Sequence, residues 1–121
     1  VKPVVHVVAT QCRSENEKKF NKWYNETHIP MLLKFKGITE VNRYQVLSGS
    51  PGPRYLASYR FESQDDFEAF QKSPELAAAI SEMKETWGEN GIDIKFIGQY
   101  ELINTWRSGN LKSKWLRRLQ V

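Results

Sequence analysis

Apolar and polar positions follow two rhythms along this chain, and their order sets the expected elements. "VVHVVAT" is rich in β-branched residues and predicts a buried strand over about residues 4–11. The rhythm then changes. Phe20, Trp23, Tyr24, Thr27, Met31, Leu32 and Phe35 recur at steps of three and four, the stripe of an amphipathic helix. Ser14 followed by Glu17 has the spacing of a capping box and places the helix start there. Gly37 is placed to stop the helix. "ITEVNRYQVL" predicts a second strand over about 38–47, and "SGSPGP" a turn. "RYLASYRFE" predicts a third strand with Tyr55, Ala57, Tyr59 and Phe61 on one face, antiparallel to the second across the turn. Ser63 opens another helical stretch, with Asp65 and Asp66 favourable in its first turn. Pro74 divides that stretch into one helix to about 71 and another over about 74–87. "GENG" breaks the pattern, and "DIKFIGQYELI" predicts a fourth strand over about 93–103.

The order β-α-β-β-α-β is the ferredoxin-like unit, an α+β fold with helices on one face of a four-stranded antiparallel sheet. The first strand is apolar on both sides, with Val5, Val7 and Ala9 on one and Val4 and Val8 on the other. A strand with one wet face should alternate apolar with polar. The simplest cover for the second face is a second copy of the chain, so a homodimer is expected.

Composition narrows this picture. A chain of 121 residues makes one domain with room for a small ligand pocket. No apolar run is long enough to span a bilayer, and the N-terminal stretch lacks the basic region and cleavage site of a signal peptide. The lone Cys12 excludes an internal disulfide, fits the cytosol, and is more often inert than nucleophilic in such a setting. Charge is uneven. Residues 1–104 hold 13 of the 18 Lys and Arg and all 14 acids, for a net −1, whereas residues 105–121 carry +5 and no acid. We therefore read 1–104 as the domain and 105–121 as a basic extension. A nucleic-acid footprint across the domain is not expected. In the extension, Leu111, Trp115 or Leu116, and Leu119 fall at helical spacing among basic residues. Membrane-surface contact by that tail is the minority reading, and packing on protein the favoured one.

"FNKWYNETHIPMLLKFKGITEVNRYQV" followed by "YLASYRFESQDDFEAFQKSPE" resembles the EthD-like proteins of the dimeric α+β barrel superfamily. The likeness rests on the aromatic first helix, the His28-Ile29-Pro30 step, Gly37 ahead of a strand carrying Arg43-Tyr44, and the passage "FESQDDFEAF". It covers about residues 3–103. It implies two sheets closed into a barrel across a dimer, and a ligand cavity between each sheet and its helices. It also implies cofactor-free chemistry on aromatic or polyketide substrates by cyclases, lyases, decarboxylases, isomerases or monooxygenases. No cofactor is then expected.

His28 follows Phe20 and Tyr24 at four-residue steps, so all three share the helix face turned to the sheet. Pro30 has no N–H and its ring crowds the preceding turn, so the helix should bend or open near His28. A histidine there can act as base or acid near neutral pH, or can simply bond a freed carbonyl. The EthD-like resemblance implies the first role. Tyr24, Tyr59, Arg43, Trp87 and Phe20 complete the candidate substrate contacts. Tyr24, Tyr59 and Trp87 are more often core than contact. A mid-strand arginine needs an acceptor or an anionic ligand, and Glu40, Glu62 or a partner subunit would serve Arg43. Trp87 is expected near the pocket mouth. His6 shares a face with Val4 and Val8; it would join His28 if that face is the pocket side, and the dimer side is the expectation. A metal site is not expected, because His6 and His28 have no acid at a close ligand spacing to both.

These readings converge on a cofactor-independent acid–base enzyme of lyase, cyclase or decarboxylase type. Its substrate would be a hydrophobic aromatic or polyketide-like molecule, and His28 would move the proton. A ligand-binding or accessory dimer without turnover is the alternative, and a cofactor-free monooxygenase a further one.

Overall fold

The computed structural model describes residues 1–49 and 52–108. The expected helical spacing at Leu111, Trp115, Leu116 and Leu119 lies outside the described residues. Strand β1 runs Val4–Gln11. A 3-10 turn, Ser14–Asn16, leads into helix α1, Glu17–Trp23. A π-helical turn follows at Tyr24–His28, then helix α2 at Ile29–Leu32. Strands β2 and β3 are Ile38–Gln45 and Tyr55–Phe61. Helices α3 and α4 are Gln64–Gln71 and Pro74–Trp87, and strand β4 is Asp93–Glu101. The expected order holds. Strands β2 and β4 each stop two residues short of their expected ends.

The capping box at Ser14 does not form. The chain enters through the 3-10 turn with Arg13 at the cap and no side-chain cap bond. Glu17 instead pairs with Arg54 across the domain. The caps that do form belong to α3 and α4. Ser63 accepts from the Asp66 N–H at 3.2 Å, and Ser73 accepts from the Leu76 N–H at 3.1 Å. Ser73 also donates to the Phe70 carbonyl at 2.7 Å, so one buried hydroxyl closes α3 and opens α4. Gly88 ends α4 at φ 69°, a conformation that costs a glycine little.

The sheet is antiparallel in the order β2-β3-β1-β4. Paired residues share a face, so register decides what meets the helices. Val4, His6 and Val8 stand opposite Phe61, Tyr59 and Ala57. That set faces the helices and forms the core with Phe20, Phe67 and Phe70. The aromatic rings pack edge-on or tilted, Phe61 against Phe67 at 5.5 Å and against Phe70 at 5.2 Å.

The opposite sheet face carries Val5, Val7, Ala9, Leu56, Tyr44, Phe96 and Tyr100, as the register requires. No helix covers it. Tyr44, Leu56, Phe96 and Tyr100 are exposed. Gly98 lies between Phe96 and Tyr100, and a Cβ there would come within 2.7 Å of the Phe96 ring. The two rings lean together over that gap at 6.4 Å.

The serine caps give a stability prediction. Ser73→Ala should cost about 1–2 kcal/mol, because the Leu76 N–H loses its acceptor while the buried Phe70 carbonyl keeps only backbone donation. Ser63→Ala, at a less enclosed cap, should cost about 0.5–1 kcal/mol. Urea unfolding of both variants checks the order, and a smaller loss at Ser73 would contradict it.

Candidate functional site

The site begins with a local defect in the first helix. Pro30 cannot donate to the helix ladder, and in an unbroken α-helix its ring would press on the Glu26 carbonyl. The chain answers with one wide turn, in which the Ile29 N–H donates to the Tyr24 carbonyl five residues back. Residues five apart then lie above one another. Accordingly the Trp23 and His28 rings stack at 4.7 Å with 25° between planes. Tyr24 meets the His28 ring edge-on at 5.0 Å. The expected opening of the helix near His28 is thus a π turn, and it aims the imidazole at the sheet.

Between these rings, the helix face of the sheet and α3–α4 lies a cavity of about 290 Å³. His6, Tyr24, His28 and Tyr59 line it, with Thr10 and Gln71 as its other polar side chains. The remaining wall is aliphatic or aromatic, including Val8, Leu32, Leu76 and Ile97. Among the described residues no Asp, Glu, Lys or Arg lines it. The exposed Ile80, Ile94 and Ile97 mark its mouth at the β4 edge of the sheet.

The cavity's polar groups are held neutral. Burial brings the His28 pKa down to about 4, against a small opposing pull from Glu82. Glu82 is itself fixed by the Trp23 indole N–H at 2.8 Å. Nδ1 of His28 is buried without a hydrogen-bond partner among the described residues. Tyr24 and Tyr59 bond hydroxyl to hydroxyl at 3.0 Å. Burial raises both phenols, Tyr59 well above its ordinary value, helped there by Tyr24 beside it. One hydroxyl of the pair donates to the other, which leaves one phenolic proton for a ligand. Burial also lowers the His6 pKa.

Of the residues expected to contact substrate, His28, Tyr24 and Tyr59 come together on this cavity. Arg43, Trp87 and Phe20 do not line it. Arg43 pairs with neither Glu40 nor Glu62. It donates to Asn25 Oδ1 at 2.8 Å and Asn21 Oδ1 at 2.9 Å, and its guanidinium lies 4.4 Å from the Tyr24 ring centroid. It therefore braces Tyr24 from behind. Its own pKa is lowered by burial. Phe20 is core, touching Tyr24, Tyr55 and Trp87. Trp87 lines a separate open cleft with Cys12, where burial raises the thiol. A raised thiol is a poor nucleophile. His6 corrects the expectation that placed it on the dimer side. It stands opposite Tyr59 on the helix face and packs against Phe67 at 5.2 Å. Among the described residues no group of three or more His, Cys, Asp or Glu could hold a metal ion. Nor is any helix long and apolar enough to cross a membrane.

With the geometry in place, comparison with known proteins adds the following. A model of a domain of unknown function, DUF4286, matches residues 4–97. No curated protein matches the chain. Solved structures do. An ethyl tert-butyl ether D (EthD) family protein from Bacillus halodurans superposes with a TM-score of 0.60 at 12% identity, covering 87% of this chain and all of that one. A dimeric protein of unknown function with a ferredoxin-like fold from Bacteroides fragilis gives 0.59 at 17%, covering 83% and 96%. A mutant of SnoaB, a cofactor-independent oxygenase from Streptomyces nogalater, gives 0.62 at 11%, covering 89% and 100%. At these identities the likeness is one of fold, and that fold is the ferredoxin-like one.

The low proton affinity of His28 has a measurable consequence. Its folded pKa of about 4 lies below its ordinary 6.5, so the unfolded chain takes up the proton first. Stability present above pH 6.5 is therefore lost as pH falls through about 4, on the order of 3 kcal/mol for this group. His28→Gln should flatten the loss between pH 7.5 and pH 4 by a comparable amount, with His6 leaving a residual slope. Urea unfolding at the two pH values checks this, and an unchanged loss would show that His28 is not buried neutral.

Proposed function

The chain belongs to the DUF4286 family, whose description carries no activity, and from its site we propose that it binds a small apolar molecule and removes a proton from it without a cofactor. The observation behind this reading is that His28 lines a cavity without charged residues among those described, its Nδ1 buried and without a partner among them. An orphaned polar atom in such a place is costly unless a ligand meets it. His28 is neutral throughout the physiological range, so it enters the reaction as a base and not as an acid. The electron pair released at carbon would move onto a neighbouring oxygen. The free proton of the Tyr24–Tyr59 pair would stabilise that developing charge, a role their mutual hydrogen bond on the cavity wall supports. Both phenols remain protonated and so remain donors.

The same first step serves lyase and cyclase chemistry, and also addition of oxygen to the carbanion; a decarboxylase would instead release carbon dioxide and need a proton delivered to carbon. Fold analogy with SnoaB keeps the oxygenase in view but does not choose among them. A second reading, ligand binding without turnover, rests on the low basicity of His28. Dropping from 6.5 to about 4 weakens the base by roughly 3 kcal/mol of proton affinity.

We also propose that the protein is a homodimer closed over the uncovered sheet face. Phe96 is 44% and Tyr100 52% exposed there, beside Leu56 and Tyr44. Such a patch calls for a partner surface. The Bacteroides fragilis neighbour, described as dimeric, supports this reading.

Two measurements test these proposals. NMR should show faster exchange of α-protons for deuterium in 2-tetralone, an enolisable apolar ketone, when the protein is added without cofactors. His28→Ala should lower that acceleration by about a hundredfold or more. No acceleration by the native protein would leave binding alone. In sedimentation, the native chain should run as two copies and Phe96→Asp/Tyr100→Asp as one. A native monomer would sink the dimer.

A further inference from the structure

The cavity holds a second histidine that the proton-transfer reading leaves unused. His6 sits across the cavity wall from the π turn, on β1. Gln99, its neighbour on β4, places its side-chain amide nitrogen 3.0 Å from His6 Nδ1. An amide nitrogen only donates, so Nδ1 accepts, and the ring proton must sit on Nε2. Among the described residues Nε2 has no hydrogen-bond partner. It is not a buried orphan, so the atom keeps some exposure. Phe67, Phe70 and Tyr59 surround the ring, so an N–H is offered within an aromatic enclosure.

The cavity's charge balance adds the substrate class. A carboxylate or phosphate placed here would meet no cation among the described residues. The Arg43 guanidinium stands behind Tyr24 and is already engaged by Asn21 and Asn25. Burying an unpaired charge costs several kcal/mol, whereas a neutral oxygen needs only a donor.

We propose that His6, fixed by Gln99 as its Nε2–H tautomer, donates a hydrogen bond to an oxygen of the ligand, and that the ligand is an uncharged molecule. This rests on the reading of the cavity as a small-molecule site. It adds to that reading a second anchor, a direction of hydrogen bonding and a sign of charge. His6 is a binding residue, and Gln99 a positioning residue acting through it.

The test uses the full chain and matched probes, followed by NMR titration. 2-Tetralone carries a carbonyl acceptor, tetralin has the same rings without it, and tetralin-1-carboxylate adds a charge. 2-Tetralone should bind at least tenfold tighter than tetralin, and the carboxylate weaker than either. In His6→Gln the side-chain amide nitrogen can reach the place of Nε2, and the preference for the ketone should persist. In His6→Asn it reaches only the place of Nδ1, and the preference should fall severalfold while tetralin binding stays. Gln99→Leu should also reduce the preference without changing tetralin binding. Ring nitrogen-15 shifts of the unliganded native protein at pH 7.5 should show His6 as the Nε2–H tautomer. The Nδ1–H form, an even mixture of the two, or a ketone preference unchanged in His6→Asn overturns the assignment. Equal binding of ketone and tetralin overturns it too. Failure of tetralin and ketone alike to bind overturns the cavity reading itself, and with it this proposal. The tautomer measurement stands without any probe.

Discussion

The wide turn at Tyr24–His28 is the constraint on which the rest of the site depends. Pro30 withholds one N–H and crowds one carbonyl, and the π turn, closed by the Ile29 N–H on the Tyr24 carbonyl, absorbs both effects. That turn stacks His28 on Trp23 and keeps Tyr24 within reach of Tyr59. Trp23 in turn holds Glu82 on α4, which ties the turn to the far helix. Arg43 clamps the other side of Tyr24 from β2. The imidazole is therefore oriented by packing from three directions. A regular α-helix through the same residues would bring His28 over Tyr24 and away from the Trp23 stack.

Neutrality is the second property of the site. Every polar group on the cavity wall is uncharged near pH 7 because burial penalises the ionised form. The charges that exist nearby, Glu82 and Arg43, are engaged by Trp23 and by Asn21 and Asn25. Such an environment strengthens each hydrogen bond offered to a ligand. It also makes His28 a poor base until a developing negative charge lies beside it. Binding and proton transfer would then be coupled, with the Tyr24–Tyr59 pair supplying the stabilisation that burial takes from the base.

Most of the fold was legible in the chain. β-Branched runs, the Pro74 break and the Ser63 start are local signals, and the structure keeps each of them. Ser14–Glu17 misled because a capping box is only a spacing, and Arg54, distant in sequence, competes for the glutamate. The site was legible as far as Tyr24 and His28, which the helical period brings together. Tyr59 was legible through strand alternation. Phe20 shares the same period but sits a turn too early and joins the core. Arg43 was read as a charge in search of an acid, yet two asparagines on the first helix and an aromatic ring satisfy it. His6 was missed because its side of the sheet depends on β1–β3 register, a long-range fact. The signal was present in parity: once Tyr59 faces the helices, the residue opposite it must do so too.

The account turns on His28 being buried, neutral and uncommitted. Its imidazole protons can be followed by NMR in the unliganded protein as pH is lowered, with Glu82→Gln as the companion variant. The predicted result is a midpoint near 4 in the native chain and a lower one in the variant, since Glu82 is the only group found to favour the cation. A midpoint near the ordinary 6.5, or one indifferent to Glu82, would contradict the burial and the geometry assigned to the site.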